Sequence, residues 1–154
     1  MKSMRRVDRQ MTEAEAKELL DRGEFGILAT VDSTGQPYGV PLNYVYFNAA
    51  VYFHCALIGK KLTDIAANPQ VCFTVVGNTQ VLPDKFATNY ESVMVFGAAV
   101  IVEAAEKETA LEAIIQKYST DFLEAGHAYI EKFRAATHVV KISAAHITGK
   151  RRAG

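Results

Sequence analysis

The stretch Tyr52-Phe53-His54-Cys55-Ala56-Leu57-Ile58-Gly59-Lys60-Lys61-Leu62 concentrates more potential chemistry than any other part of the chain. Its first half alternates like a strand and presents a histidine. Its second half opens a helix with a glycine and two lysines. Free N–H groups, the positive end of the backbone dipole and a close-approaching glycine attract an anion at such a start, and Lys60 or Lys61 would add a charged contact. A phosphate suits this cradle; a solvated basic face produces the same pattern. His54 shares its strand face with Tyr52 and Ala56, opposite Phe53 and Cys55. A lone strand histidine is either a structural residue or a proton donor and ligand.

Other chemistries lack their residues. Cys55 and Cys72 both lie in apolar runs without CxxC or paired Cys/His spacing, so they read as buried thiols. The remaining histidines, His127, His138 and His146, are scattered, and no metal site is expected. There is no GxSxG for a nucleophile elbow, no GxGxxG after a strand and no GxxxxGK[ST]. A phosphate-bearing cofactor would need a different cradle.

The elements that position these residues follow from caps, turns and periodicity. Thr12-Glu13-Ala14-Glu15 has capping-box spacing, and Gly23 is placed to end a helix over residues 12–22. Phe25 to Val31 and Tyr38 to Phe47 are β-prone runs joined by Asp32-Ser33-Thr34-Gly35, which predicts a hairpin. In the second run Tyr38, Val40 and Leu42 share one face, and Gly39, Pro41 and Asn43 the other. Neither face is plainly solvent-directed, so a barrel core on one side and a partner or ligand on the other would cover it. Pro41 lacks an N–H and favours an edge or ligand-facing position.

Val51 to Ala56 is the third strand, followed by a helix from Gly59 to an Asn68-Pro69 stop. Val71 to Val76 and Glu91 to Val102 are further strands, with Gly97 a site for the bend that closing a barrel needs. Helices are expected over 106–118 and 121–134, then a last strand from Thr137 to Ile142 and a polar exit, His146 to Lys150. Six strands without regular βα alternation favour a mainly β, α+β barrel.

With 154 residues the chain suits a single domain, residues 1–154, with basic terminal segments 1–10 and 149–154. Lys plus Arg and Asp plus Glu number 17 each, a balance that argues against a nucleic-acid partner. Arg5, Arg6 and Arg9 at one end and Lys150, Arg151 and Arg152 at the other read as solvated termini. No apolar run approaches the roughly 18 residues of a membrane span, and the first residues lack the apolar centre of a signal peptide, so a cytoplasmic location is expected.

Several segments, in order, resemble one family: Met4-Arg5-Arg6 with Asp8-Arg9, Gly35-Gln36-Pro37-Tyr38-Gly39-Val40-Pro41-Leu42-Asn43-Tyr44, Tyr52 to Ala56 with Gly59-Lys60-Lys61-Leu62, Asn68-Pro69 with Val71-Cys72-Phe73, Tyr90-Glu91-Ser92-Val93, and His146-Ile147-Thr148-Gly149-Lys150. Together they look like the nitroimidazole-resistance-type, FMN-binding proteins of the pyridoxamine-phosphate-oxidase-like superfamily. The resemblance implies a six-stranded split β-barrel, homodimeric, with two flavin sites at the subunit interface. It implies FMN as cofactor, with Val40, Pro41, Leu42 and Asn43 along the ring. His54, Cys55, Ala56, Lys60 and Lys61 would flank the phosphate, and Tyr90, Glu91 and Ser92 would complete the site from either subunit. His54 matches a position linked to chemistry in that branch, so it takes the catalytic role. The implied activity is an FMN-dependent reductase using a hydride donor and a small-molecule acceptor, nitroaromatic compounds included. The alternative is a non-catalytic flavin- or haem-binding sensor of the same fold, with His54 as an axial ligand.

Overall fold

The computed structural model describes residues 3–154. Helix α1, Glu13–Arg22, starts where Thr12 accepts the Glu15 N–H and Glu15 returns to the Thr12 N–H, the reciprocal box expected from the sequence. The helix does end at Gly23, but not through a left-handed cap, since Gly23 has φ −62°. Close packing requires the glycine instead: a Cβ there would lie 2.4 Å from the Tyr44 hydroxyl and 2.6 Å from Val75 Cγ1.

Strands β1, Gly26–Val31, and β2, Pro37–Leu42, form the expected antiparallel hairpin. Its turn is held by Asp32, whose Oδ1 accepts from the Thr34 N–H at 2.8 Å and the Gln36 N–H at 3.0 Å, with Gly35 at φ 88°. The second apolar run does not continue as one strand to Phe47. It breaks after Leu42, and β3 is the separate segment Val45–Phe47.

The break has a tertiary cause. The Tyr44 N–H donates to the Tyr118 hydroxyl, and the Tyr44 carbonyl accepts from Lys117 Nζ, so side chains take over the backbone groups that a ladder would use. Its buried ring sends the hydroxyl to the Leu20 carbonyl at 2.5 Å. Burial also brings the Lys117 ammonium down to about 8.

Beyond a turn with Asn48 and Ala49 at positive φ, β4, Ala50–Ala56, pairs with β3. Helix α2, Lys60–Ala67, and β5, Gln70–Val76, follow, then the short β6, Gln80–Leu82, and the long β7, Ala87–Val102. Helices α3, Ala104–Tyr118, and α4, Leu123–Phe133, precede β8, Thr137–Ser143, and β9, His146–Arg152. The described residues thus form nine strands rather than the expected six, because the second run splits, β6 is added, and the polar exit is recruited by β7 as β9. The architecture is α+β with an antiparallel sheet, consistent with a split barrel.

The order of the sheet is β2-β1-β5-β7-β8-β4-β3. Its two outermost strands are consecutive in sequence, joined only by Asn43 and Tyr44. A sheet whose ends are two residues apart must curl upon itself, but β2 and β3 do not pair, so the closure is covalent and leaves an open seam. Strand β7 is the spine of this curl. One edge pairs with β5, while the other pairs with β9 up to Phe96 and with β8 from Ala99. Gly97 lies at the changeover, where the Ser143 carbonyl comes so close that a Cβ would meet its oxygen at 1.7 Å.

Inside the curl Leu28, Tyr44, Val51, Phe53, Phe73, Val95 and Ile142 form the main core, with α1 adding Leu19 and Leu20. Each fully buried side chain of this kind contributes on the order of 2 kcal/mol. A second core on the outer face of β4 and β8 packs Tyr52 and Val139 under Leu111 and Ile114 of α3. The segments near Gln10 and Lys150 meet: Gln10 bridges to Lys150, and Arg151 binds Glu15. Among the described residues no helix is long and apolar enough to cross a membrane.

Candidate functional site

Strand β2 supplies four of the expected ring-contacting residues. Val40 and Leu42 turn inward, half-buried against the main core, whereas Pro41 and Asn43 remain exposed on the other face. Only β1 pairs with β2, so its outer edge carries unpaired backbone donors and acceptors. Asn43 donates from Nδ2 to the Glu24 carbonyl at 3.0 Å, which fixes its amide at the seam.

On β4, His54 sits opposite Val139 of β8 and keeps an exposed edge. Burial of the rest of the ring lowers its pKa below the usual 6.5, so the imidazole is neutral at pH 7. Cys55 points to the opposite face and packs on the main core, where burial raises its thiol pKa despite the nearby Lys61 charge. It is a protonated, unreactive thiol at neutral pH. Cys72 is likewise raised by burial. Ala56 ends the strand, exposed.

The lysines at α2 are not equivalent. Gly59 precedes the helix at φ 157°, a conformation that favours glycine, and its carbonyl takes the Leu62 and Thr63 N–H groups. Lys60 Nζ is held by Asp64 at 3.0 Å and by Asp32 at 3.8 Å, and lies 5.2 Å from the Tyr38 ring centroid. Asp64 is buried and also accepts from the Thr30 hydroxyl at 2.7 Å, so Lys60 neutralises a carboxylate that the fold has placed inside. Lys61 has no carboxylate partner among the described residues. The positive charge available to an anion at this helix start is therefore that of Lys61.

Tyr90, Glu91 and Ser92 begin the central part of β7, opposite Arg152, Arg151 and Lys150 of β9. Glu91 is buried and fully committed. Arg22 reaches Oε1 at 2.5 Å and Arg151 reaches Oε2 at 3.2 Å. Burial alone would raise its pKa, but the two guanidiniums outweigh that effect and leave it below the usual carboxylate range. Tyr90 lines a small polar cleft of about 240 Å³ with Arg152 and Asn89.

The expected site residues thus fall into three groups within one chain: Val40 to Asn43 along β2 with His54 to Ala56 at the end of β4, Lys60 and Lys61 at α2, and Tyr90 to Ser92 beside β9. Asn43 and His54 share a cavity of about 260 Å³ whose other walls come from α3 and α4, among them Ile114, Tyr118, Ile130 and Phe133. The sequence reading did not single out these helix residues. Their signal was present as apolar stripes at Leu111, Ile114 and Tyr118, and at Tyr129, Ile130 and Phe133, but helical periodicity does not reveal that two stripes face one strand histidine.

Residues 12–151 match the family model described as pyridoxamine 5'-phosphate oxidase. Among solved structures, a candidate 5-nitroimidazole antibiotic resistance protein from Bacteroides thetaiotaomicron is 23% identical, covering 92% of this chain and 85% of its own, with a TM-score of 0.74. An FAD-binding protein from Mesorhizobium loti is 24% identical over 94% of this chain and 98% of its own, with a TM-score of 0.68. An FAD and haem binding protein from Mycobacterium smegmatis is 18% identical over 95% of this chain and 74% of its own, with a TM-score of 0.80. These structural likenesses speak for the fold. No curated protein matches the chain.

Proposed function

Since the chain belongs to the pyridoxamine 5'-phosphate oxidase family, we propose that it binds a flavin, specifically FMN, and serves as a reductase that accepts nitroaromatic compounds among its substrates. The observation that carries this reading is the family match over residues 12–151, joined to an unpaired β2 edge next to a helix start with an uncompensated lysine. A flavin needs a flat apolar bed with hydrogen-bonding groups at its rim and a positive pocket for its phosphate. The β2 edge, with Val40, Pro41, Leu42 and Asn43, has the first character. The first amides of α2, Lys61 and the exposed end of β4 at Ala56 have the second.

When bound, the flavin supplies hydride or single-electron transfer. The chain's own residues bind, orient and shield. His54, neutral at pH 7, is a hydrogen-bond donor or acceptor beside that bed, which suits a proton-handling role. Lys60 contributes indirectly, by keeping Asp64 and α2 in place.

The reading includes a homodimer. Ile27, Val76 and Met94 leave an exposed apolar face outside the curl, next to Pro41, and a second copy seated there would cover it. Tyr90, Glu91 and Ser92 would then be supplied by the partner, with Glu91 acting through the arginines it holds. The cytoplasm is the compartment we assign, and the described fold is proposed as one domain.

Haem is the second reading, favoured by one feature: a neutral His54 imidazole with no hydrogen-bond partner among the described residues is the form that ligates iron. The two readings separate on purification. A yellow protein whose melting temperature rises with added FMN supports the first, since ligand at 100 times its Kd stabilises by about 2.7 kcal/mol. A Soret band lost in His54→Ala supports the second. Lys61→Ala should weaken FMN binding roughly three- to tenfold, and more at low salt than at high salt. Unchanged FMN affinity in this variant removes Lys61 from the site, and a melting temperature indifferent to FMN overturns the flavin reading.

A further inference from the structure

The cavity above His54 has mainly apolar walls, with Leu111, Ile114 and Ile115 of α3 and Tyr129, Ile130 and Phe133 of α4, and polar groups at its rim. At about 260 Å³ it exceeds the roughly 150 Å³ that suffices to hold benzene in a comparable apolar lining. One ring with substituents, or two fused rings, has room.

Its polar groups set the charge of any occupant. The Tyr118 hydroxyl lies 2.6 Å from the Glu24 carbonyl and 2.9 Å from the Tyr44 carbonyl, and it accepts the Tyr44 N–H at 3.1 Å, so it is saturated. The Asn43 amide gives one N–H to the Glu24 carbonyl, which holds it at the rim of the cavity. Arg134 is gripped by Glu108 and by Glu131, the latter at 3.0 Å, and has no free charge to offer. The Thr137 hydroxyl is turned to the Phe133 carbonyl. The Ser119 and Tyr129 hydroxyls and the His54 side chain remain, none with a side-chain hydrogen bond among the described residues, and His54 is the one imidazole in the lining. An anion entering here would lose its hydration with no cation to receive it, whereas an uncharged molecule with one polar atom would lose little.

The walls are also pre-formed. Arg134, immediately after α4, pairs with Glu108, and His127 hydrogen-bonds Glu112 at 2.8 Å, so both tie α4 to α3 from the outside, although α4 itself buries no residue. Ile130 of α4 also packs against the second core, so α4 is placed over His54 by an apolar contact as well as by these polar ones.

We propose that this cavity is a binding subsite for an uncharged aromatic molecule of one or two rings, held by contact with the α3 and α4 side chains and by one hydrogen bond to the His54 imidazole. Any part it plays in turnover rests on the flavin reading, because Asn43 joins it to the β2 bed. The binding itself does not depend on flavin.

Calorimetric titration of the full chain with 2-naphthol, with and without FMN, tests this directly. We expect 1:1 binding in both states. Ile130→Trp, which fills the cavity, should weaken binding at least tenfold. His54→Phe, which keeps the volume and removes the hydrogen bond, should weaken 2-naphthol roughly three- to tenfold while leaving naphthalene unchanged. The anion 2-naphthoate should bind at least tenfold more weakly than 2-naphthol. A proton resonance of the His54 ring that shifts with 2-naphthol provides a second measurement in the unaltered protein should Ile130→Trp misfold. No binding by the wild-type chain, equal binding by Ile130→Trp, equal binding of the naphthoate, or a His54 resonance that stays in place overturns the proposal. Loss of FMN binding with 2-naphthol binding intact would sink the flavin reading alone, and the converse would sink this one alone.

Discussion

Glu91 on β7 and His54 on β4 are both titratable side chains carried on strands, and they have opposite surroundings. The Glu91 carboxylate is buried and met by Arg22 and Arg151, while α1 and β9 seal it from both sides. His54 has lost enough water to lower its pKa, yet no side chain among the described residues compensates it, and the helix above it, α4, has no buried residue. A fully satisfied polar group locks structure. A partly exposed one at the edge of a cavity stays free to meet a ligand, because the fold has removed some of its water and supplied no partner.

That contrast can be broken first at Glu91. Glu91→Ala leaves two guanidiniums facing each other at a covered site, and we expect it to cost about 2 to 3 kcal/mol, less than a deeply buried pair because both arginines are partly exposed. Urea denaturation measures it. A loss below about 0.5 kcal/mol would make this an ordinary surface contact.

A smaller effect appears with pH. The folded-state pKa of Glu91 lies below its ordinary 4.5, so the unfolded chain takes up the proton more readily. The stabilisation is therefore complete above about pH 4.5 and is lost as pH falls through the lower folded value. Glu91→Gln should flatten the acid limb of a melting-temperature profile relative to wild type. Parallel acid limbs would show that other carboxylates dominate.

The smallest change is expected at His54. Replacing it with Leu should alter stability by no more than about 0.5 kcal/mol at pH 7. Its folded pKa is also depressed, here with the neutral form favoured, so wild-type stability is present above pH 6.5 and declines as pH falls below it. His54→Leu should lose that decline between pH 7 and pH 5. A large loss at pH 7 would make His54 a structural residue and erase the comparison with Glu91.

Much of the fold was legible in the chain. The Thr12 to Glu15 box, the Asp32 to Gly35 turn and the Asn68-Pro69 stop all occur where local chemistry put them, because each depends on residues close in sequence. The run from Tyr38 to Phe47 misled. Its alternation continues without interruption, and what ends β2 is the capture of Tyr44 by Lys117 and Tyr118, more than seventy residues away. Likewise β9 read as a polar tail, since its strand character depends on pairing with β7.

The candidate site divides in the same way. Residue types and spacing by themselves determined that a strand histidine leads into a glycine-started basic helix, that the two cysteines sit in apolar strands, and that β2 has two distinct faces. These are properties of neighbours along the chain. Only tertiary structure decided that Lys60 is consumed by a buried Asp64 while Lys61 is not, that Glu91 is an internal lock, and that His54 lies under two helices that leave it unpartnered. Pairing and burial are set by residues brought together across the sheet, and local periodicity carries no record of what lies opposite.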